Sequence, residues 1–344
     1  MASLFERAVS ALFGSSSAKP NDVDQQLIQD TTDAFVETVE PRVRLSSRYR
    51  EKLGDNVART LLHLRELGTR LPLEPVVLSR GAWSEDPYLR AFFAAADDVS
   101  ACIGRSDEVR EFFESHSSCD EAVALLGMQR KERTVLAPRL EGDVLKQEVQ
   151  QTTVSFSGHR LLAAAPDMAQ ARLEVGRRIM QRLAQLVLER IVSIDQQVQD
   201  LTLRKAKLAT RLRMLRSARD GMAPLVEQGL TIEQQIRDVE RELKETTDGY
   251  AEARGNLITL DGYIEQMNAV LAQPEQHLAL ARVPLRVSRM GVKAEAGQVA
   301  DVDELDLAEL SIGEGLQATI AFVRITRSEL PPSEDLLAQA HRLL

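Results

Sequence analysis

The chain has few aromatic residues and almost no cysteine. Of its 344 residues only 4% are aromatic, and it contains 2 cysteines, Cys102 and Cys119. Two thiols without C-x-x-C spacing favour a reducing compartment over a disulfide framework. We therefore expect both cysteines to be small buried residues. Because leucine and alanine supply much of the apolar character, the composition favours helices.

Long hydrophobic runs are also missing. No apolar run approaches the length of about eighteen residues that a transmembrane helix needs. Glu6 and Arg7 interrupt the segment in which a signal peptide would have a continuous apolar core. The sequence therefore predicts a cytosolic protein. Its formal net charge of −9 gives no general attraction to nucleic acid or anionic lipid.

The chain lacks the short motifs that indicate an active site. It has no phosphate-binding loop, no dinucleotide glycine pattern and no nucleophile elbow. Its 5 histidines are scattered, and none has a metal-ligand partner at a suitable spacing. The run Asp301-x-Asp303-x-x-Asp306 fails the EF-hand pattern, because Asp306 stands where that loop needs glycine. This run belongs to an acidic cluster from Glu295 to Glu314, which is better explained as a solvated, partly strand-forming edge. The sequence thus predicts no catalytic residue, no cofactor and no metal.

A heptad pattern fills residues 167–273. Apolar residues recur there with alternating three- and four-residue spacing in two stretches, which is typical of a coiled-coil seam. Joined by a short link, two such helices most simply fold back as an antiparallel hairpin. The seam residues include Met180, Val187, Ile194, Leu201, Leu208 and Leu215 in the first stretch, and Ile232, Val239, Thr246, Ala253, Leu260 and Met267 in the second.

Charge along this hairpin predicts its register. Lys205 is the charged seam residue of the first arm, and antiparallel pairing would bring it close to Glu242. A charged seam residue that finds a partner can fix the register. The basic residues of 204–219 would face the acidic residues of 233–245. Pairing between the arms therefore explains the basic cluster more simply than nucleic-acid binding, since aromatic residues for base stacking are also missing.

The hairpin tip, residues 217–230, carries more apolar residues than two helices can bury. These are Met222, Leu225, Val226 and Leu230. Exposed apolar groups of this kind indicate a contact site for a protein partner or a second copy of the chain. A small self-packed cap is the alternative.

Residues 1–20 are predicted to form a short amphipathic helix followed by a flexible linker. The apolar face of this helix includes Leu4, Phe5, Val9, Leu12 and Phe13. It could dock on the protein itself, bind a partner or lie on a membrane surface. One basic residue, Arg7, beside Glu6 gives little electrostatic attraction to lipid.

The remaining segments divide into helices and strands. Residues 21–131 are predicted to form a helical bundle, in which Ser106, followed by Asp107 and Glu108, starts a short helix. The capping-box spacing of Ser118 and Glu121 starts another helix that runs to Leu126. Residues 132–166 and 274–344 have the period of two that is typical of strands, with a turn predicted at Ser157-Gly158 and a helix from Ser333 to the end. Because an isolated two-stranded hairpin is marginal in water, we expect both flanks to share one sheet.

The sequence therefore predicts a mainly α fold with a small β component (α+β). It combines an N-terminal helical bundle with a small antiparallel or mixed sheet, built from both flanks of a long antiparallel coiled-coil hairpin. The leading functional hypothesis is a non-enzymatic cytosolic interaction or scaffold protein that presents its coiled-coil arm to a protein partner or a second copy. One alternative is a peripheral membrane-surface scaffold that uses the N-terminal amphipathic helix. The other is an enzyme with an unrecognised site in the strand-containing head and a coiled-coil arm that binds the substrate.

Overall fold

The structure, a computed structural model, describes residues 25–71, 74–141, 144–220, 229–294 and 302–331. The helices are α1 (Gln25–Val39), α2 (Tyr49–Arg70), α3 (Pro87–Phe92), α4 (Ala96–Gly104), α5 (Asp107–Ser115), α6 (Met168–Asp220), α7 (Gly229–Ile258), α8 (Leu260–Leu271) and α9 (Pro274–His277). The strands are β1 (Val76–Val77), β2 (Glu121–Glu141), β3 (Val144–Ala165), β4 (Leu278–Ser288), β5 (Val302–Ile312) and β6 (Leu316–Thr326). The fold is α+β, as predicted.

The chain forms two compact units. One consists of the described parts of residues 1–30, 60–180 and 274–344, and contains the sheet. The other consists of residues 31–59 and the described part of 181–273, and contains most of the long helices. Helices α1, α2 and α6 contribute residues to both units.

The first unit is built on one sheet with the strand order β3-β2-β6-β5-β4, and β1 lies parallel beside β6. All the other paired strands are antiparallel. Strand β2 precedes the long helix α6 and β6 follows it, and the two strands pair directly. The prediction that both flanks of the heptad region share one sheet is therefore confirmed.

The segment after β4 connects the two outer strands of this sheet. The Val154 amide of β3 donates to the Gly291 carbonyl at 2.7 Å, and the Lys293 amide donates to the Thr152 carbonyl at 2.8 Å. Lys293 also forms a bridge with Val287 of β4. The sheet therefore closes on itself. Gly291 is required here, because its φ is +72° and an added Cβ would lie 2.9 Å from the Val154 carbonyl oxygen.

Both faces of the sheet are covered. Helices α3, α4 and α5 supply an apolar layer on one face, and their main contributions are Leu89, Phe93, Ile103, Val109 and Phe113. The sheet contributes buried residues such as Leu126, Met128, Leu305 and Leu307 to the same cluster. On the other face, Leu310 and Phe322 line a small apolar cavity together with Leu64 of α2 and Val175 of α6.

In the second unit, α6 packs against α7. Leu208 and Leu212 form a buried cluster with Ile236 and Val239, and Leu215, Ile232 and Leu243 pack around it. The contacts progress in opposite directions along the two helices, because Arg204 pairs with Glu242 while Arg219 lies beside Glu233. The buried residues occupy positions that the heptad pattern assigns to the seam.

Two predicted local features are wrong. The helix expected over Ser118–Leu126 is the start of β2. Residues 122–126 are all buried, because helices cover both faces of the sheet. A strand that is buried on both faces lacks the alternation of apolar and polar residues by which a strand is recognised in a sequence. The turn expected at Ser157-Gly158 is a bulge within β3, where Gly158 has a φ of +68° and the register with β2 shifts.

The second heptad stretch is not one continuous helix. Helix α7 ends at Ile258, and Thr259 adopts an extended conformation with φ −112° and ψ 155°. The Thr259 hydroxyl accepts a hydrogen bond from the Gly262 amide at 3.1 Å and so caps α8. The predicted arm therefore contains a break, because a local cap outweighs the heptad pattern at this position.

Candidate functional site

The exposed face of α6 carries a row of large apolar side chains. Val192, Leu203 and Met214 are 53%, 61% and 68% exposed. They are eleven residues apart, which is about three helical turns, so successive members are rotated by only about 20°. They therefore share one face of the helix over about 33 Å at 1.5 Å per residue. We call these three residues the outer stripe.

The outer stripe points away from the seam between α6 and α7. Leu212, which is buried in that seam, follows Leu203 by nine residues and is therefore rotated from it by about 180°. Helix α7 consequently does not cover the stripe. A single exposed apolar residue needs no explanation, but three at a constant spacing along one face form a surface that another helix can contact.

Positive charge flanks the C-terminal half of the stripe, from Leu203 to Met214. Lys207 and Arg211 lie on one side of Leu203 around the helix, and Arg213 lies on the other. None of these three cations forms an ion pair with a described residue. Arg216, in contrast, pairs with Glu240 of α7 at 2.8 Å. The inter-helix ion pairs therefore leave part of the basic cluster available to a partner.

The ion pair that Lys205 was expected to form with Glu242 does not form in the structure. Glu242 pairs with Arg204 at 2.5 Å rather than with its neighbour Lys205. The Lys205 ammonium lies 5.4 Å from the ring centroid of Tyr250, at cation–π distance. The seam position of Lys205 faces an aromatic residue, whereas Arg204 at the rim reaches the carboxylate.

Most of the other predicted contact residues lie outside the described residues. This applies to Met222, Leu225 and Val226 at the tip, and to Leu4, Phe5, Val9, Leu12 and Phe13 near the N-terminus. Leu230 belongs to the first turn of α7. Partner binding at the tip and membrane binding by residues 2–13 therefore stay predictions.

A second candidate site lies where β6 separates from β2. Their pairing ends at Met128 and Thr319, and a polar cavity of about 260 Å³ opens beyond this point. We call this cavity the strand wedge. It is lined by Gln129, Arg130 and Lys131 of β2, Glu309 of β5, and Gln317, Ala318 and Thr319 of β6.

Alternating charges surround the strand wedge. Glu309 is only 8% exposed, and its carboxylate forms an ion pair with Arg130 Nε at 2.7 Å. Arg130 also donates from Nη1 to Glu132 at 2.8 Å, and Glu132 pairs with Lys293 at 3.1 Å. Pairing with a guanidinium stabilises a buried carboxylate. The prediction of a solvated acidic edge is therefore wrong for Glu309.

Thr319 has an unmet hydrogen-bonding demand. The residue is only 2% exposed, and its hydroxyl has no hydrogen-bond partner among the described residues. A buried hydroxyl without a partner is costly and rare in folded proteins. The lining residues include one carboxylate and no histidine, cysteine or serine. This composition suits binding by hydrogen bonds better than nucleophilic or acid–base chemistry.

The described part of the chain also lacks two features that would indicate other functions. No helix there combines the length and hydrophobicity that crossing a membrane requires. Histidine, cysteine, aspartate and glutamate side chains also do not gather there in groups of three or more that could hold a metal ion.

Sequence reasoning missed both candidate sites. The outer stripe does carry a sequence signal, the eleven-residue spacing, but it falls outside the seven-residue pattern. The strand wedge depends on where the pairing of β2 with the distant strand β6 ends, and no local pattern shows that. Comparison with models of protein families, with curated proteins and with solved structures found no match for this chain.

Proposed function

We propose that this chain is a non-enzymatic interaction protein of the cytosol. In this proposal α6 and α7 form an antiparallel coiled-coil arm that presents the outer stripe to a protein partner. The observation that carries the proposal is the row of Val192, Leu203 and Met214, which is exposed on the face opposite the seam. The two free cysteines are consistent with a reducing compartment.

Three features support a coiled-coil arm. The heptad positions of α6 and α7 supply the buried cluster around Leu212 and Ile236. Ion pairs such as Arg216–Glu240 flank this cluster, as they do at the rim of coiled-coil interfaces. The partners also progress in opposite directions along the two helices, as expected for antiparallel packing.

The stripe and its flanking charges define the chemistry of the partner. Burying a large apolar side chain contributes about 1.5–3 kcal/mol, so three of them favour a partner with an apolar helix face. Lys207, Arg211 and Arg213 favour carboxylates beside that face. The expected partner is therefore an amphipathic helix with acidic flanks.

A photo-crosslinking residue at position 203 tests this proposal in the native cell. We expect it to capture a protein segment with an apolar helix face and acidic flanks, identified by mass spectrometry. The double variant Leu203→Glu/Met214→Glu should reduce association with that protein by about tenfold or more, the equivalent of about 1.4 kcal/mol. The variant Ser193→Glu/Thr202→Glu is the matched control, because it adds the same charge to exposed positions beside the stripe.

Two outcomes of these experiments would contradict the proposal. If both double variants retain the captured protein equally, the stripe is not the contact surface. If position 203 captures nothing and light scattering shows a monomer, the interaction function itself is wrong. Circular dichroism melting curves should show that both variants keep the helical structure.

A further inference from the structure

Strand β2 has a long edge that no described strand covers. Its pairing with β6 ends at Met128, whereas its pairing with β3 continues to Glu141. Up to Thr134, residues 291–293 pair with the other edge of β3, and beyond it β2 and β3 form a two-stranded ribbon. From Gln129 onward the β2 edge that faces away from β3 has no partner strand in the described chain. Such an edge is a template for another strand. A two-stranded ribbon is also marginal by itself in water, so an added strand would stabilise it.

The strand wedge lies at the start of this edge. It opens between Gln129–Lys131 of β2 and Gln317–Thr319 of β6. At this point β6 separates from β2, and an added strand could pair with β2 in its place. Thr319 is the register partner of Met128 on one side and of Glu309 on the other. Its partnerless hydroxyl is therefore positioned to hydrogen-bond the end of an inserted chain.

Charge along the edge indicates what that chain contains. Lys131 and Arg133 are two residues apart, so both side chains lie on one face of β2. Both are exposed, and neither forms an ion pair with a described residue. Val135 follows on the same face and is 38% exposed. Cross-strand neighbours on one face interact, so carboxylates opposite the two cations and an apolar residue opposite Val135 would fit.

We propose that this edge of β2, from the strand wedge to Ala137, binds an extended acidic peptide as an additional β-strand. Main-chain hydrogen bonds provide the affinity, and alternate side chains provide the specificity. The peptide carries carboxylates at alternate positions followed by an apolar residue, and one end enters the wedge beside Arg130 and Thr319. This site is separate from the outer stripe and does not depend on its function.

Selection from a phage-displayed library of random linear peptides on the full-length protein tests this proposal. We expect the selected sequences to alternate carboxylates with other residues. In fluorescence anisotropy a synthetic selected peptide should bind about tenfold or more weakly to Lys131→Glu/Arg133→Glu. The variant Arg237→Glu/Lys244→Glu makes the same charge change at exposed positions of α7 and should bind normally.

Two further measurements separate strand addition from simple charge attraction. Methylating alternate backbone nitrogens of the peptide keeps its charge but removes main-chain donors, and binding should be lost when the methylated nitrogens face β2. Thr319→Val should weaken binding several-fold while the melting temperature does not fall, since the hydroxyl has no partner to lose. The proposal is overturned if the selection enriches no acidic peptide, if methylation in either alternate pattern leaves binding unchanged, or if Lys131→Glu/Arg133→Glu binds normally.

Discussion

Each carboxylate oxygen of Glu108 accepts a hydrogen bond from the guanidinium group of Arg178, and both distances are 2.8 Å. Glu108 lies in α5 and Arg178 in the part of α6 that belongs to the sheet-containing unit. The same carboxylate accepts a hydrogen bond from the Ala163 amide of β3 at 2.8 Å. Ala163 has a φ of +59°, which is unusual for a residue with a Cβ. One side chain therefore connects two helices and holds a strained residue of the sheet.

Replacing this carboxylate should destabilise the unit. Glu108→Gln keeps the size of the side chain but removes its charge and one of its two acceptors. We expect the free energy of unfolding to fall by about 1–2 kcal/mol, since both partners are partly exposed and solvent screens the pair. Urea denaturation measures this loss. The control Glu114→Gln, at an exposed position of the same helix, should change the free energy by less than about 0.5 kcal/mol. Equal effects of the two substitutions would contradict the role of the pair.

The bulge in β3 predicts different effects for two glycines that are close across the β2–β3 pair. Gly158 has a φ of +68°, and an added Cβ would meet nothing within 4 Å. Gly158→Ala should therefore destabilise through the backbone alone, by about 1–2 kcal/mol. Gly127 of β2 is equally open, but its φ is not in the left-handed region. Gly127→Ala should be neutral or stabilising. Thermal unfolding of both variants would test this contrast, and similar losses would show that space rather than conformation limits these positions.

Local signals predicted part of the fold correctly. The Ser106 hydroxyl caps α5 by accepting a hydrogen bond from the Val109 amide, as its position before Asp107 and Glu108 indicated. The coiled-coil arm that the heptads indicate stays a prediction, although Leu208 and Leu212 of α6 are buried against Ile236 and Val239 of α7. These features depend on residues a few positions apart, so the sequence contains the information directly.

Features that depend on distant partners could not be predicted. Glu309 looked like part of a solvated acidic edge, but β5 brings it to the inner face beside Arg130 of β2. Residues 122–126 gave a helical signal, but pairing with β3 and β6 makes them a strand. The strand wedge is a consequence of the same long-range pairing, so no local pattern contained it.

The two cysteines should react at very different rates. Cys102 is buried, and burial raises the pKa of its thiol to about 11. Because the thiolate is the reactive form, Cys102 should resist alkylation by iodoacetamide in the folded protein. Cys119 is partly exposed and should be modified first. Mass spectrometry of the singly alkylated protein identifies the site, and addition of urea should make both cysteines reactive. Rapid modification of Cys102 without denaturant would contradict its burial.

Stability should fall as the pH is lowered from 7 to 5, and His159 should account for part of that loss. Burial lowers the pKa of this histidine below its ordinary value of 6.5, and the hydrogen bond to the Phe92 carbonyl and the charge of Asp98 only partly oppose this shift. The unfolded chain therefore binds a proton more readily than the folded chain, so the His159 contribution to stability is complete above about pH 6.5 and is lost as the pH falls.

The variant His159→Phe tests this contribution. It keeps an aromatic ring beside Phe93, which stacks on the imidazole at 4.4 Å, and should make the free energy of unfolding less dependent on pH. Val99→Ala in the same core should lower stability equally at both pH values. An unchanged pH dependence in His159→Phe would show that other groups cause the loss.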